Sequence, residues 1–262
     1  MFLVHSAGVL YPVSGFAVGV LIGMTGVGGG SLMTPLLILL FGVSPATAVG
    51  TDLLYAAVTK TAGTAMHGFT GTIDWRIVGR LAAGSLPMTA LTLFVLSRVD
   101  PAGSAAHRLI TFVLGCTLFG SASVLIFRHR IVRRYGDRLA ALTPSRIHWL
   151  TVAAGGILGV LVPISSVGAG ALGTIALVLL YPRLPIARIV GSDITHAVPL
   201  TLLAGIGHWM LGSINWHLLG ALLLGSLPGI VLGSYVANRV PDTALRLILA
   251  VTLIAAGGRL IF

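Results

Sequence analysis

Ten apolar runs follow one another along the chain, and this hydropathy pattern limits the possible folds more than any other feature. The runs lie at about residues 9–24, 31–41, 46–67, 74–97, 105–127, 149–164, 170–181, 187–210, 215–237 and 243–262. A membrane-crossing helix needs about 20 apolar residues. The mean hydropathy of +1.03 shows that the chain has more apolar residues than the core of a soluble protein of this size can bury. The pattern predicts an all-α polytopic membrane protein without an extramembrane domain.

Two of the runs, 31–41 and 170–181, are too short to cross a membrane. At 1.5 Å per residue each would extend through about half of the hydrocarbon layer as a helix. Each short run follows a cluster of small residues, Gly26-Val27-Gly28-Gly29-Gly30 in the first case and Ser165-Ser166-Val167-Gly168-Ala169-Gly170 in the second. We therefore expect two broken or re-entrant half-helices at these glycine-rich clusters.

The two clusters belong to a longer internal repeat. At an offset of 140 residues the matched pairs are Gly19 with Gly159, Val27 with Val167, Gly28 with Gly168, Gly30 with Gly170 and Thr34 with Thr174. At an offset of 141 they are Gly50 with Gly191, Asp52 with Asp193, His67 with His208, Trp75 with Trp216 and the Gly84-Ser85-Leu86-Pro87 run with Gly225-Ser226-Leu227-Pro228. Chance does not align such a set in one register, so the chain is a duplicated unit with about five helical segments in each half. We predict a first lobe at 1–127, a basic linker at 128–148 and a second lobe at 149–262.

The basic linker indicates how the chain is oriented in the membrane. It carries six arginines against one acid, so the positive-inside rule places it in the cytoplasm. If each repeat crosses the membrane an odd number of times, Arg76, Arg80, Arg183 and Arg188 also fall near the cytoplasmic side. If each half-helix and its successor make one crossing instead, the repeats are parallel and more arginines lie outside. The charge count favours inverted repeats.

Broken helices at membrane depth are tolerated where they line a cavity or are buried in protein. The N-terminus of a half-helix presents unpaired N–H groups and a partial positive charge, which suits an anion, and inverted-repeat transporters hold substrates in this way. Close helix packing is the alternative explanation for the glycines. The predicted substrate-binding residues are Gly26, Gly28, Gly29, Gly30, Ser31, Thr51, Ser165, Ser166, Gly168, Gly170, Ser192 and Lys60.

The sequence resembles a known family, the sulfite exporter TauE/SafE permeases. The resemblance rests on GVLIGMTGVGGGSLMTPLLILL from Gly19, on Pro45-Ala46 and Ala48-Val49-Gly50-Thr51, and on the repeated helix with Gly-Ser-Leu-Pro. It covers essentially the whole chain. The resemblance implies an all-helical, multi-pass permease of the bacterial inner (plasma) membrane that exports sulfite or a related small organosulfur anion.

Ionisable residues inside membrane segments mark functional sites or partner pairs. Asp52 and Asp193 are repeat mates, and we expect each to be a proton or cation site, or a structural acceptor for the broken half-helix. Lys60, the only lysine, either supplies a charge for an oxyanion, extends its ammonium group to the membrane surface, or pairs with an acid. His67 and His208 lie at an expected membrane interface, where they form hydrogen bonds or relay protons.

We therefore predict a secondary transporter that moves a small sulfite-like anion by alternating access. Two alternatives remain open: a carrier of cations or neutral solutes that uses Asp52 and Asp193, and a membrane-embedded enzyme. No enzymatic activity, cofactor, metal or nucleic-acid partner is expected; a homodimer stays open. The net charge of +10 comes from arginines between the apolar runs, which act as topology signals.

Overall fold

The computed structural model describes residues 2–25, 30–69, 71–98, 104–140, 142–236 and 242–261, and every secondary-structure element in them is helical. These ranges contain α1 (Phe2–Thr25), α2 (Gly30–Phe41), α3 (Pro45–Phe69), α4 (Trp75–Leu96), α5 (Ser104–Ala140), α6 (Pro144–Ser165), α7 (Ala171–Leu180), α8 (Ile186–Met210), α9 (Trp216–Val236) and α10 (Asp242–Ile261). The ten predicted runs each correspond to one helix.

Five of these helices are long and apolar enough to cross a membrane by length and composition. The candidate spans within the described residues are Trp75–Leu96, His107–Gly136, Pro144–Ser165, Ile186–Met210 and Trp216–Gly233. The two predicted short runs form α2, with 12 residues, and α7, with 10 residues. A polytopic all-helical protein is therefore what the chain forms.

The segment between the two predicted lobes is more helical than its composition suggests. α5 continues from the apolar run through the arginine-rich residues to Ala140, and α6 begins at Pro144. Proline suits this first helical position because its missing N–H has no partner there in any helix. Most of the predicted linker at 128–148 is thus part of α5 and α6.

Glycines let helices from the two halves of the chain pack backbone against backbone. A Cβ atom on Gly15 of α1 would lie 2.3 Å from the carbonyl oxygen of Leu222 on α9. The same contact recurs between α6 and α4, where a Cβ on Gly155 would lie 2.2 Å from the Leu81 oxygen. Small residues permit this close approach in membranes, so the first helix of each half packs against the fourth helix of the other half.

The third helices of the two halves, α3 and α8, also pack against each other. A Cβ on Gly50 would lie 3.0 Å from the His208 Cβ, and a Cβ on Gly191 would lie 3.0 Å from the His67 ring. The beginning of each helix therefore lies beside the end of the other, and the two helices run antiparallel. Both glycines and both histidines are matched pairs of the internal repeat, so one contact is the counterpart of the other.

Candidate substrate site

Two buried aspartates connect the short helices to the long central helices. The Thr34 hydroxyl on α2 donates to Asp52 Oδ2 on α3 at 2.5 Å. The Thr174 hydroxyl on α7 donates to Asp193 Oδ2 on α8 at 2.8 Å. These four residues are matched pairs of the repeat, so the same hydrogen bond forms once in each half and fixes a short helix against its central helix.

Each aspartate keeps one carboxylate oxygen without a hydrogen bond. Asp52 is 0% exposed and Asp193 is 1% exposed, and the Oδ1 atom of each has no partner. Gly173 leaves space for the Asp193 carboxylate, because a Cβ at residue 173 would lie 2.2 Å from Asp193 Oδ1. Buried polar atoms are normally paired, so these two oxygens are available to a ligand, a proton or a water molecule.

Lys60 brings a positive charge into the same region. It lies on α3, is 5% exposed, and its ammonium group donates to the Ala169 carbonyl oxygen at 2.8 Å. Asp193 and Asp52 are the acidic groups whose charges act on it. A side chain from the first half of the chain thus reaches the loop that precedes α7 in the second half.

The loop before α7 has the irregular backbone that the sequence predicts. α6 ends at Ser165, Ser166 is left-handed with φ 57°, and Gly170 has φ 138° just before α7 begins at Ala171. The Ser165 side chain accepts from the Val167 N–H at 3.2 Å and stabilises this turn. Ser166 and Gly168 are buried, and the Ser166 hydroxyl lies next to Asp52 without a standard hydrogen bond.

Two predicted substrate-binding hydroxyls join the halves of the protein. The Thr51 hydroxyl accepts from the backbone N–H of Asn215 at 3.1 Å, and the Ser192 hydroxyl accepts from the N–H of Asp74 at 2.9 Å. The two contacts are counterparts across the repeat. Because each hydroxyl already serves a backbone amide between α3 and α4 or between α8 and α9, the structure gives both a connecting role.

The predicted histidines lie near the ends of α3 and α8, apart from the buried acids. His67 Nδ1 and the Thr72 hydroxyl are 2.7 Å apart. His208 is 2% exposed, and its Nε2 lies 2.8 Å from the Pro163 carbonyl oxygen. Both rings therefore have local hydrogen-bond partners at the α3–α8 contact.

A third histidine, His196, lies closer to the site than either predicted one. Its Nε2 is 2.8 Å from the Ser85 hydroxyl, its Nδ1 has no partner, and the charge of Lys60 acts on it. Its position one helical turn after Asp193 could have indicated it. The repeat concealed it, because the matched position is Tyr55.

The remaining predicted residues belong to the start of α2. Gly26, Gly28 and Gly29 lie outside the described residues, whereas α2 begins at Gly30 and includes Ser31 in its first turn. No group of three or more His, Cys, Asp or Glu side chains that could hold a metal ion occurs in the described ranges.

The chain is similar to known membrane transporters along nearly its full length. The family profile described as sulfite exporter TauE/SafE matches residues 11–260. A probable membrane transporter protein, YjnA of Bacillus subtilis (strain 168), is 38% identical over 248 residues, which cover 94% of this chain and 97% of the relative. A second from that organism, YdhB, is 30% identical over 253 residues, with shares of 94% and 97%.

A probable membrane transporter protein of Xylella fastidiosa (strain Temecula1) is 26% identical over 239 residues, covering 87% of this chain and 84% of the relative. No solved structure matches the chain significantly. The family and the five candidate spans identify a multi-pass transporter of the plasma membrane. The chain belongs to the sulfite exporter TauE/SafE family.

Proposed function

We propose that the protein exports a small sulfur-containing oxyanion, sulfite or a close relative, and that Lys60 and the N-terminus of α7 bind it. The observation that carries this proposal is the contact of the Lys60 ammonium with Ala169, two residues before α7 begins. A buried ammonium attracts an anion, and so do the N–H groups of a helix's first turn; in α7 the Gly173 N–H already donates to Gly168, which leaves the first two positions. The Ser166 hydroxyl, buried and unpartnered, is a further donor at the same loop.

The charge of the two aspartates decides whether an anion can bind beside them. Asp52 and Asp193 offset the lysine charge in the resting site and accept hydrogen bonds from the short helices. An anion directly beside an ionised carboxylate would be repelled. In our proposal the substrate contacts Lys60 and the loop before α7, and the carboxylates, which adjoin this loop and the start of α7, are protonated while the anion is bound and hold the short helices in place.

The transport cycle we propose is alternating access between two inverted lobes, 1–127 and 149–262, joined by the basic segment 128–148. The antiparallel α3 and α8 and the matched contacts of Thr51 and Ser192 support this arrangement. Contacts in which residue i meets j and j meets i are typical of a two-fold axis. An axis in the membrane plane would make α2 and α7 re-entrant half-helices that meet near the bilayer midplane.

Export of an anion needs no further energy source. With the cell interior negative, moving one charge across 100 mV is worth about 2.3 kcal/mol. A monoanion leaves the cell downhill on this gradient, and a dianion leaves with twice the driving force. We therefore propose uncoupled, voltage-driven transport.

Flux of radiolabelled sulfite from proteoliposomes with an imposed potential tests the anion site. Lys60→Met should lower sulfite flux and binding by about 10- to 100-fold, the loss of one charged hydrogen bond. Thr201, the repeat mate of Lys60, donates to the Ala197 and Val198 carbonyls of its own helix, so Thr201→Val is the matched control and should transport normally. Unchanged sulfite binding in a folded Lys60→Met protein would refute the site.

The free Oδ1 atoms of Asp52 and Asp193 favour one other candidate, a carrier of cations. Sodium and sulfite can be compared as ligands in thermal-unfolding titrations of the same protein. Stabilisation by sodium that Asp193→Asn abolishes, with no response to sulfite, would select the cation carrier. Stabilisation by sulfite that Lys60→Met abolishes supports the anion carrier.

The contact between Ser85 and His196 is not evidence of enzymatic activity. A serine next to a histidine can serve nucleophilic catalysis, but both side chains are 0% exposed. Their repeat mates are Ser226 and Tyr55, so the serine–histidine pair has no counterpart in the other half of the repeat. We therefore assign the pair to helix packing and expect sulfite to leave the transporter chemically unaltered.

A further inference from the structure

A pocket lies at the end of the protein that the charge distribution places in the cytoplasm. It has a volume of about 220 Å³ and is lined by Ile147 of α6 and by residues 180–184 at the end of α7. Arg183 contributes a positive charge to its wall, while Leu180, Leu184 and Ile147 make the rest largely apolar. The pocket is separate from the buried aspartates and Lys60.

An arginine from another helix bonds to a residue that lines this pocket. Arg80 on α4 donates from Nη1 to the Tyr181 hydroxyl at 3.1 Å, and Tyr181 is also 2.8 Å from the Thr151 hydroxyl. A guanidinium has five N–H donors. Across the described ranges Arg80 forms no other hydrogen bond or ion pair with protein groups, and its partly exposed guanidinium keeps donors for a further ligand.

Further arginines lie on the helices that meet near the pocket. Val132 of α5 packs with Tyr181 and Leu184 against one apolar cluster, which brings the basic end of α5 to the same place. Exposed arginines on the segments next to this cluster in sequence include Arg76, Arg133, Arg134, Arg146 and Arg188. The segments that meet near the apolar pocket are therefore rich in positive charge.

The opposite end of the protein shows that the fold itself does not need these charges. The repeat mates of Thr151 and Tyr181 are Tyr11 and Phe41, whose rings pack edge to face at 4.8 Å. The repeat mate of Arg80 is Ala221, and that of Arg183 is Val43. The same arrangement thus forms with apolar side chains. A topology signal requires charges in loops, but it does not require the Arg80 guanidinium to be hydrogen-bonded to Tyr181.

We propose that this pocket binds the phosphate head group of an anionic phospholipid from the cytoplasmic leaflet. Basic pockets between membrane helices bind such head groups. Arg183 in the wall and Arg80, which bonds to the lining residue Tyr181, supply the donors. Leu150 and Ile157 of α6 lie beyond Ile147 and are 41% and 61% exposed, which provides an apolar path for an acyl chain. The lipid site does not depend on which substrate is transported.

Native mass spectrometry of the detergent-purified full-length protein tests this site with phosphatidylglycerol and phosphatidylcholine. Phosphatidylglycerol should bind more tightly and raise the unfolding temperature. Each surface-proximal arginine contributes about fivefold to the affinity for anionic lipid, so Arg80→Gln with Arg183→Gln should weaken phosphatidylglycerol binding by about 25-fold. Arg98→Gln, at the other end of α4, is the matched control and should bind like the wild type.

Three results would overturn the lipid site: equal binding of both lipids to the wild type, an unchanged affinity in the double variant, or displacement of phosphatidylglycerol by inorganic phosphate at equal concentration. The last result would identify a site for free anions. Arg183→Gln alone changes an exposed side chain, so it keeps the test decisive if the double variant fails to fold. Sulfite flux plays no part in this readout.

Discussion

Lys60 and Ala169 are 109 residues apart in sequence, yet the Lys60 ammonium donates directly to the Ala169 carbonyl oxygen. This hydrogen bond joins the third helix of one half to the irregular loop of the other. At the repeat-related place, Thr201 bonds back to its own helix. The two halves are therefore matched in their framework and different in the charge they bring to the centre.

We expect Asp52→Asn and Asp193→Asn to leave voltage-driven sulfite flux intact. Each asparagine keeps an oxygen that accepts the hydrogen bond from Thr34 or Thr174. Flux from proteoliposomes at a fixed potential measures the outcome, with thermal unfolding as the check on folding. Loss of flux in a folded variant would contradict uncoupled transport, because it would show that the carboxylate proton or charge takes part.

Thr174→Val should destabilise the protein, whereas Thr174→Ser should leave its stability close to that of the wild type. Valine removes the donor and leaves the buried carboxylate of Asp193 without its hydrogen bond, which costs about 1–3 kcal/mol. Serine preserves the hydroxyl. Thermal unfolding in detergent compares the three proteins, and equal stability of the valine variant would show that the hydrogen bond contributes nothing.

Gly173→Ala should displace the Asp193 side chain. The added Cβ would lie 2.2 Å from Oδ1, and overpacking of this kind costs about 1–3 kcal/mol. Gly220→Ala is the matched control in another helix, since nothing lies within 4 Å of its added Cβ. The unfolding temperature should fall only in the first variant; an equal response of both variants would exclude the packing argument.

The sequence predicted the helices, whereas the contacts between distant residues of the candidate site come from the structure. Helix spans follow from hydropathy, which each residue carries locally, and the repeat offset paired Asp52 with Asp193, which form matching hydrogen bonds with Thr34 and Thr174. The length of α5 was missed because residues 128–140 are charged, although arginine favours helices. The Ser85–His196 contact spans 111 residues, and its matched pair contains a tyrosine, so the repeat did not reveal it.

The antiparallel packing of α3 and α8 is directly testable by cross-linking. A Cβ on Gly63 would lie 3.4 Å from the Ile194 side chain, so Gly63→Cys with Ile194→Cys should cross-link under mild oxidation in a Cys116→Ser background. Gly63→Cys with Gly205→Cys is the control, because Gly205 lies beside Leu54. Cross-linking of the control pair alone would require a different register.

The glycine contact between α1 and α9 has a consequence for how the chain is made. α1 is synthesised before α9, yet the surface that its Gly15 and Gly19 fit is supplied by Leu222 and Ser226 of α9. α1 therefore cannot complete its packing until the helices between the two, and α9 itself, have been made. The order of synthesis thus separates two segments that must meet in the folded transporter.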